Sequence, residues 1–389
     1  MSIGTTTSTL PLFTDLPPRI QLDNRFWHGS FNERESSMHQ LSPYVGKLKS
    51  GMVRVLLNKY SKIGDIVFDP FCGSGVVPLE AALAGREAWA NDLSEYAYTL
   101  TRAKMEAPAD ERTALLQARQ LLSLVDKRAD TTNVTHVPEW IQQFYHPRTL
   151  REIVVAFDEL KRSKNYFLTG CLLGIMHHVR PGFLSYPASH LVPYLRKGKF
   201  PPEEFPNMYE YRDLRSRLIA KVERAYRRTY FTENWEIRKY KIWHVNAMSL
   251  PIQDESVDSI ISSPPYFGAL DYARDNRLRL WFLGRRDWKE LDKTLTASEK
   301  VYLPQMAFCL REMHRVLKQQ SHCILVLGDV ERDGKMKRTA EILADLAIEV
   351  TNHGFKIETI YDDLIPDERR SRRRTATTKF ERILIMKKI

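Results

Sequence analysis

The sequence predicts an α/β fold with a doubly wound, mostly parallel sheet of seven strands, an antiparallel edge strand and a largely helical insertion. Short apolar segments alternate with helical patterns in the N-terminal and C-terminal parts of the chain. A glycine-rich turn, Asp69–Gly75, joins the first of these strands to a helix. The next strand ends at Asp92, about 20 residues beyond the glycines, where doubly wound sheets carry a ribose-binding carboxylate.

Seven segments have the length and composition of strands, and turn residues bound them. They are 66–68, 87–90, 239–245, 258–261, 323–327, 356–361 and 382–386. Helical patterns at 76–84, at about 303–317 and at 339–352 separate several of them, and Gly85 can cap the first of these helices. Strand–helix alternation implies parallel neighbours, whereas the last two strands are joined by a loop and form an antiparallel edge.

The chain divides into three predicted parts. Residues 1–24 are rich in Thr, Ser and Pro and are expected to form a flexible arm. Residues 25–106 and 233–389 carry the sheet, and residues 107–232 form a helical insertion with proline-rich turns. Between residues 131 and 250, 19 Lys and Arg stand against 11 Asp and Glu, so this region supplies most of the net charge. The two flanks are already committed to the sheet and its ligand site. We therefore predict that the insertion is the region that recognises a macromolecular target.

Composition restricts the class of protein. The chain is 43% hydrophobic and 28% charged, which is ordinary for a globular protein of 389 residues. Its net charge of +11 indicates a polyanionic partner, nucleic acid first, although a positive surface can also serve solubility alone. Four scattered cysteines without a Cys-x-x-Cys pair indicate a reducing cytoplasm and no metal site. We expect no membrane span and no signal peptide.

The glycine-rich turn is not a dinucleotide or phosphate loop. It lacks the third glycine of the dinucleotide fingerprint, and no Gly-Lys-Ser/Thr follows it. Its first residue, Asp69, would repel a pyrophosphate but attract an amino group or a sulfonium. Gly73 and Gly75 can take backbone angles that are closed to other residues and let a ligand lie against the main chain.

A second signature, Ser263–Tyr266 with the sequence Ser-Pro-Pro-Tyr, follows a predicted buried strand. The two prolines hold the chain rigid and remove two amide donors, which leaves carbonyls as the exposed polar groups. A polar side chain before the prolines and an aromatic ring after them make a slot for a flat ring that bears an amino group.

Together, Asp-Pro-Phe-Cys-Gly-Ser-Gly at Asp69–Gly75 and Ser-Pro-Pro-Tyr at Ser263–Tyr266 resemble the signatures of the DNA amino-methyltransferases, which methylate N4 of cytosine or N6 of adenine. The resemblance covers residues 26–95 and 239–388 and implies a Rossmann-like methyltransferase sheet and S-adenosylmethionine as cofactor. Residues 44–50 are similar to the family segment that lines the methionine end of that cofactor. The resemblance implies these cofactor-binding residues: Tyr44, Lys47, Asp69, Pro70, Phe71, Cys72, Gly73, Ser74, Gly75, Asp92 and Asn246.

Two features depart from the family pattern. Asn246 stands where the family often has an acid near the adenine, and the large insertion precedes the Asn246 strand instead of following it. The chain is therefore most similar to the class with a central target-recognition region.

For catalysis the resemblance implies Ser263, Pro264, Pro265 and Tyr266. Ser263 and the Pro264 carbonyl would accept hydrogen bonds from the target amino group, and Tyr266 would stack on a base swung out of the duplex. A serine at the first position favours N4 of cytosine over N6 of adenine. Basic and aromatic residues suited to double-stranded DNA are Arg180, Phe183, Tyr186, Arg196, Lys197, Arg372, Arg373 and Arg374.

Several alternatives stay open at this point. The same fold could serve an RNA amino-methyltransferase or a non-catalytic DNA-binding protein, while a nicotinamide enzyme is disfavoured by the loop. A cognate restriction endonuclease is a further candidate partner, and the chain can be a monomer or a dimer.

Overall fold

The computed structural model describes residues 20–21, 35–190, 192–265, 272–285, 287, 299–332, 335–364 and 380–389. Its ten described strands are β1 (Ile20–Gln21), β2 (Ile66–Asp69), β3 (Glu87–Asn91), β4 (Tyr240–Trp243), β5 (Val257–Ser262), β6 (Leu317–Gly328), β7 (Val330–Arg332), β8 (Lys335–Lys337), β9 (Phe355–Leu364) and β10 (Phe380–Lys388). Strands β7 and β8 form a separate antiparallel pair.

The described helices are α1 (Ser50–Tyr60), α2 (Val76–Leu83), α3 (Glu95–Met105), α4 (Glu111–Arg128), α5 (Glu139–Gln142), α6 (Pro147–Ser163), α7 (Tyr166–Gly174), α8 (Leu214–Tyr226), α9 (Tyr272–Asp275), α10 (Arg277–Phe282), α11 (Glu299–Val316) and α12 (Thr339–Val350). Short 3₁₀ turns occur at Ser37–Gln40, Ala129–Thr131, Pro206–Tyr209 and Trp235–Ile237.

The main sheet has the strand order β1-β9-β10-β6-β5-β2-β3-β4, which confirms the predicted fold class. Strands β6, β5, β2, β3 and β4 run parallel, and β10 is antiparallel to both of its neighbours. All seven predicted strands are present, and β10 lies between β9 and β6 rather than outermost. The eighth strand, β1, lies within the predicted N-terminal arm and pairs in parallel with β9.

Helices cover both faces of the sheet because side chains alternate along its strands. In β10, Ile383 and Ile385 pack into the core that contains α1, α2 and α3, whereas Leu384 and Met386 pack into the core under α11 and α12. This alternation explains why the strands are almost continuously apolar, as parallel sheets buried on two faces require.

The insertion is helical, as predicted, and shares the core of the first face. Helix α7 packs closely against the segment around Leu41 and against α3 because two glycines face them. A Cβ on Gly174 would lie 2.0 Å from the Leu41 carbonyl oxygen, and one on Gly170 would lie 2.6 Å from Cβ of Ala103. In the described part of the chain, no helix is both long and apolar enough to cross a membrane.

Candidate active site

A cavity opens at the carboxyl ends of β2, β3 and β5, where the order of connection reverses between β2 and β5. Ligands of doubly wound sheets bind at such a reversal. The cavity encloses about 1130 Å³ of empty space, including its open mouth. Its walls include, among the residues predicted from the sequence, Tyr44, Lys47, Asp69, Pro70, Phe71, Cys72, Gly73, Ser74, Asp92, Asn246, Ser263 and Pro265.

The loop after β2 has two glycines in left-handed conformations, with different neighbours. Gly73 has φ +50°, and a Cβ there would lie 3.1 Å from the ring of Tyr44, which lines the cavity. Gly75 has φ +72°, and a Cβ there would lie 2.9 Å from Cα of Thr101 in α3. Gly75 is not among the residues that line the cavity. The structure therefore places Gly73 towards the ligand space and Gly75 against a helix.

Asp69 ends β2 and is buried beside the end of β5. Its Oδ1 accepts hydrogen bonds from the Ser262 hydroxyl at 2.6 Å and from the Phe71 amide at 3.2 Å. Burial raises the pKa of the Asp69 carboxyl to about 7, because desolvation outweighs these two hydrogen bonds. The Asp69 side chain thus links the loop after β2 to the end of β5, directly before Ser263.

Asp92 follows β3 and binds the loop through its side chain. Its Oδ2 accepts from the Gly73 amide at 2.9 Å, and its Oδ1 accepts from the Ser94 amide at 2.9 Å. Burial raises the pKa of the Asp92 carboxyl above its ordinary value. The remaining lone pairs of its carboxylate can accept hydrogen bonds from ligand hydroxyls.

Asn91, which the sequence analysis did not assign to the site, locks three chain segments together. Its Nδ2 donates to the carbonyls of Pro70 at 3.2 Å and Val245 at 3.1 Å, and its Oδ1 accepts from the Val245 amide at 3.2 Å. This side chain holds the β2 loop and the end of β4 in register beside the cavity.

At the end of β5, the Ser263 hydroxyl donates to the Val326 carbonyl of β6 at 3.0 Å. A hydroxyl has one proton, so Ser263 Oγ can only accept a hydrogen bond from a group in the cavity. Ser263 and Pro265 line the cavity, and Pro264 between them is buried. The predicted stacking residue Tyr266 lies outside the described residues.

The segment before α1 forms another wall of the cavity. The Tyr44 ring stacks on Tyr96 with 5.9 Å between centroids, and Lys47 Nζ donates to the His39 carbonyl at 3.0 Å. Desolvation lowers the pKa of the Lys47 ammonium. Asn246, which also lines the cavity, is exposed, and its Oδ1 accepts a hydrogen bond from the Met248 amide at 3.0 Å.

Helix α11 supplies a wall that the sequence analysis missed. Its cavity-lining residues follow helical spacing and are Tyr302, Gln305, Met306 and Cys309. The periodicity was visible in the sequence, but it could not indicate which helix face meets the cavity.

The cavity fits a nucleoside-like, cationic ligand. Asp69 and Asp92 provide acceptors, and Met248 and Met306 provide apolar surface. The buried Ser74 hydroxyl lines the cavity without a hydrogen-bond partner in the described part of the chain, so a ligand can satisfy it. No group of three or more His, Cys, Asp or Glu suited to a metal ion occurs among the described residues.

The predicted DNA-binding residues that the structure describes are not among the residues that line the cavity. Arg180, Phe183, Arg196 and Lys197 belong to one loop of the insertion, and His178 contacts the Phe183 ring at 4.8 Å between centroids. Tyr186 is partly buried and packs on Tyr209 at 5.0 Å between ring centroids, and its role in DNA binding stays a prediction. The arginines Arg372, Arg373 and Arg374 lie outside the described residues.

Comparisons with known proteins agree with the resemblance in the sequence. Residues 23–103 match the family model described as DNA methylase. A segment of 77 residues is 30% identical to the type II methyltransferase M.MjaII of Methanocaldococcus jannaschii. That segment is 20% of this chain and 14% of the relative, so the chain spans only a small part of the curated relative it matches.

Two solved structures are also similar to this chain. TrmN from Thermus thermophilus is 12% identical with a TM-score of 0.35, and the match covers 92% of this chain and 53% of TrmN. A SAM-dependent methyltransferase from Methanosarcina mazei is 11% identical with a TM-score of 0.36, and the match covers 86% of this chain and 97% of that protein.

Proposed function

We propose that this chain, whose residues 23–103 match the DNA methylase family, transfers a methyl group from S-adenosylmethionine to an exocyclic amino group of a base in DNA. The observation that carries the proposal is that residues 69–74 of the β2 loop and two residues after β5, Ser263 and Pro265, line one cavity. A protein that only binds DNA has no need for a cofactor loop and a catalytic segment in the same cavity. An RNA amino-methyltransferase needs the same two parts, and the match to the DNA methylase family favours DNA.

In this proposal the residues around the β2 loop hold the cofactor. Asp92 accepts hydrogen bonds from the ribose hydroxyls, and Gly73 allows the ligand to approach the main chain. Tyr44 and Lys47 contact the methionine part, and Asn246 lies near the adenine. When bound, the cofactor would supply an electrophilic methyl group on a positively charged sulfur, and that charge would favour the ionised form of the nearby Asp69 carboxyl.

The strand end after β5 orients the target. The amino nitrogen of a base is a weak nucleophile because its lone pair is delocalised into the ring. Ser263 Oγ, whose own proton is donated to Val326, accepts one amino proton, and the Pro264 carbonyl accepts the other. These two hydrogen bonds would localise the lone pair on the amino nitrogen and hold both amino protons, one of which is released when the nitrogen becomes methylated. Catalysis is mainly positioning, and Tyr266 stacks on the extruded base.

We further propose N4 of cytosine as the target, with N6 of adenine as the alternative. Ser263 is a neutral acceptor with a short side chain, as in the family members that modify cytosine. The test incubates the protein with isotopically labelled S-adenosylmethionine and either unmethylated duplex DNA or RNA, in separate reactions, and identifies modified nucleosides by mass spectrometry.

N4-methylcytosine is the expected product. N6-methyladenine alone would refute the base assignment and keep the mechanism. Label in RNA but not in DNA would refute the substrate class. Ser263→Ala is the matched control, because it removes an acceptor beside the target and leaves the β2 loop intact.

A further inference from the structure

A loop of the insertion carries charge of one sign, and we call its described residues, 176–190 and 192–200, the basic loop. It contains four Lys or Arg and three His but no Asp or Glu. Arg180, Lys197 and Lys199 are exposed, and the Tyr194 side chain is 51% exposed. Loops that bind nucleic acid typically combine positive side chains, which contact phosphates, with exposed aromatic rings, which can stack on bases.

The basic loop has a defined shape. Ser189 N donates to the Tyr194 carbonyl at 3.0 Å and Arg196 N donates to the Pro187 carbonyl at 2.8 Å, which closes a short hairpin. The remainder is held by His178, whose ring lies 4.9 Å from His190 and whose Nδ1 accepts from the Arg180 amide at 3.0 Å. The loop therefore presents its cations from a fixed backbone, which limits the entropy lost on binding.

Two arginines of α10 attach the hairpin to the domain that carries the catalytic segment. Arg277 Nη2 donates to the Pro193 carbonyl at 2.5 Å. Arg279 donates through Nε to the Leu173 carbonyl at 3.2 Å and through Nη2 to the His190 carbonyl at 3.5 Å. Leu278 and Leu280 of α10 lie in the core that contains α1, α2 and α3, so these bonds fix the hairpin relative to that core.

The buried Arg279 adds positive charge beneath the basic loop. Its side chain is 1% exposed, and no carboxylate pairs with it among the described residues. Burial, followed by neighbouring positive groups, lowers the pKa of His178 to about 4 and also lowers that of His190. At neutral pH these histidines are uncharged, so the arginines and lysines supply the charge.

We propose that the basic loop is a DNA-contacting arm, in which Arg196, Lys197 and Lys199 bind phosphates of the duplex and Arg277 and Arg279 are positioning residues. The proposal rests on the proposed function and specifies which surface meets the DNA. Its partner is the duplex backbone, because a loop with four cations and no acid complements regularly spaced phosphates.

The test measures binding of the full chain to a duplex oligonucleotide by fluorescence anisotropy at several salt concentrations. The loop variant carries Arg196→Gln, Lys197→Gln and Lys199→Gln. A matched control variant removes the same charge from exposed positions of α4, through Arg112→Gln, Arg119→Gln and Lys127→Gln. Each lost phosphate contact reduces the magnitude of the slope of log K against log salt by about 0.9. The slope of the loop variant should therefore be shallower than that of wild type by about 2.7, whereas the slope of the control variant should be almost unchanged.

A second variant, Arg277→Met, tests the positioning role without touching a phosphate contact. We expect it to reduce both the salt slope and kcat/KM for DNA, with S-adenosylmethionine affinity and thermal unfolding unchanged. A purely structural role would lower thermal stability and leave the salt slope unaltered, which would overturn the positioning role.

Two further outcomes separate the hypotheses. If the wild-type protein methylates DNA while the loop variant keeps the salt slope of the control, the basic loop is not the DNA contact and the proposed function stands. If the wild-type protein binds S-adenosylmethionine but methylates no DNA, the proposed function is refuted and this inference with it.

Discussion

Replacing Asp69 by asparagine should change how the stability of the folded protein depends on pH. Asp69 is 2% exposed, and burial raises its pKa from an ordinary 3.8 to about 7. Between these values the folded protein retains a proton that the unfolded chain has lost. The stabilisation from this group is therefore complete below about pH 4 and is lost as the pH rises towards 7.

The magnitude follows from the width of that interval. Each pH unit over which only the folded protein keeps this proton is worth about 1.4 kcal/mol. Because the folded carboxyl is already half ionised at about pH 7, wild type should lose about 2.3 kcal/mol relative to Asp69→Asn from pH 5 to pH 7. Asparagine has nearly the same shape, and its Oδ1 can still accept from the Ser262 hydroxyl. The comparison thus isolates the charge.

The assay is chemical denaturation of both proteins at half-unit steps from pH 5 to pH 8, without cofactor. The difference between the two unfolding free energies should grow steadily up to about pH 7 and then level off. Asp130→Asn is the control, because it makes the same substitution at an exposed position. A constant difference for Asp69→Asn would refute the claim that this carboxyl is held protonated by burial.

Three further substitutions test the site. Ser263→Ala should lower kcat by about 10²-fold with little effect on S-adenosylmethionine affinity, because it removes one acceptor of a preorganised pair. Steady-state kinetics measure kcat and calorimetry measures the affinity, and weakened cofactor binding would contradict the prediction. Gly75→Val should destabilise the fold by about 1–3 kcal/mol, because φ at this position is +72° and the new side chain would collide with Thr101. The denaturation midpoint should therefore fall, and an unchanged midpoint would contradict this packing. Asn91→Ala should cost about 1–3 kcal/mol because it leaves backbone groups of buried Pro70 and partly buried Val245 without their hydrogen-bond partner. Urea denaturation measures this, and an unaltered stability would contradict it.

The β2 loop and the Ser263 strand end could be assigned to one site from the sequence because of a general property of parallel sheets. Both segments follow buried strands, and the carboxyl ends of parallel strands lie at the same edge. Local composition identified each strand, and the alternation with helices determined their direction. Asp69, Asp92 and Ser263 all line the predicted cavity for this reason.

Tertiary packing decided which side chains face that cavity. Two glycines in one loop look equivalent in sequence, but α3 approaches Gly75 and leaves Gly73 beside Tyr44. The spacing of Tyr302, Met306 and Cys309 indicated a helix, and only the docking of α11 turned that face inward. Such choices depend on the angle at which one element meets another, which local composition does not encode.

The sequence by itself determined the fold class, the order of strands and helices, and the chemistry of two short signatures, because each depends on local composition and periodicity. Only the tertiary structure decided that β10 lies between β9 and β6, and that Arg277 holds the hairpin through the Pro193 carbonyl. The latter two residues are far apart in the chain, and one partner is a backbone carbonyl that every residue possesses. No residue type marks such a contact, so it becomes visible only when the chain is folded.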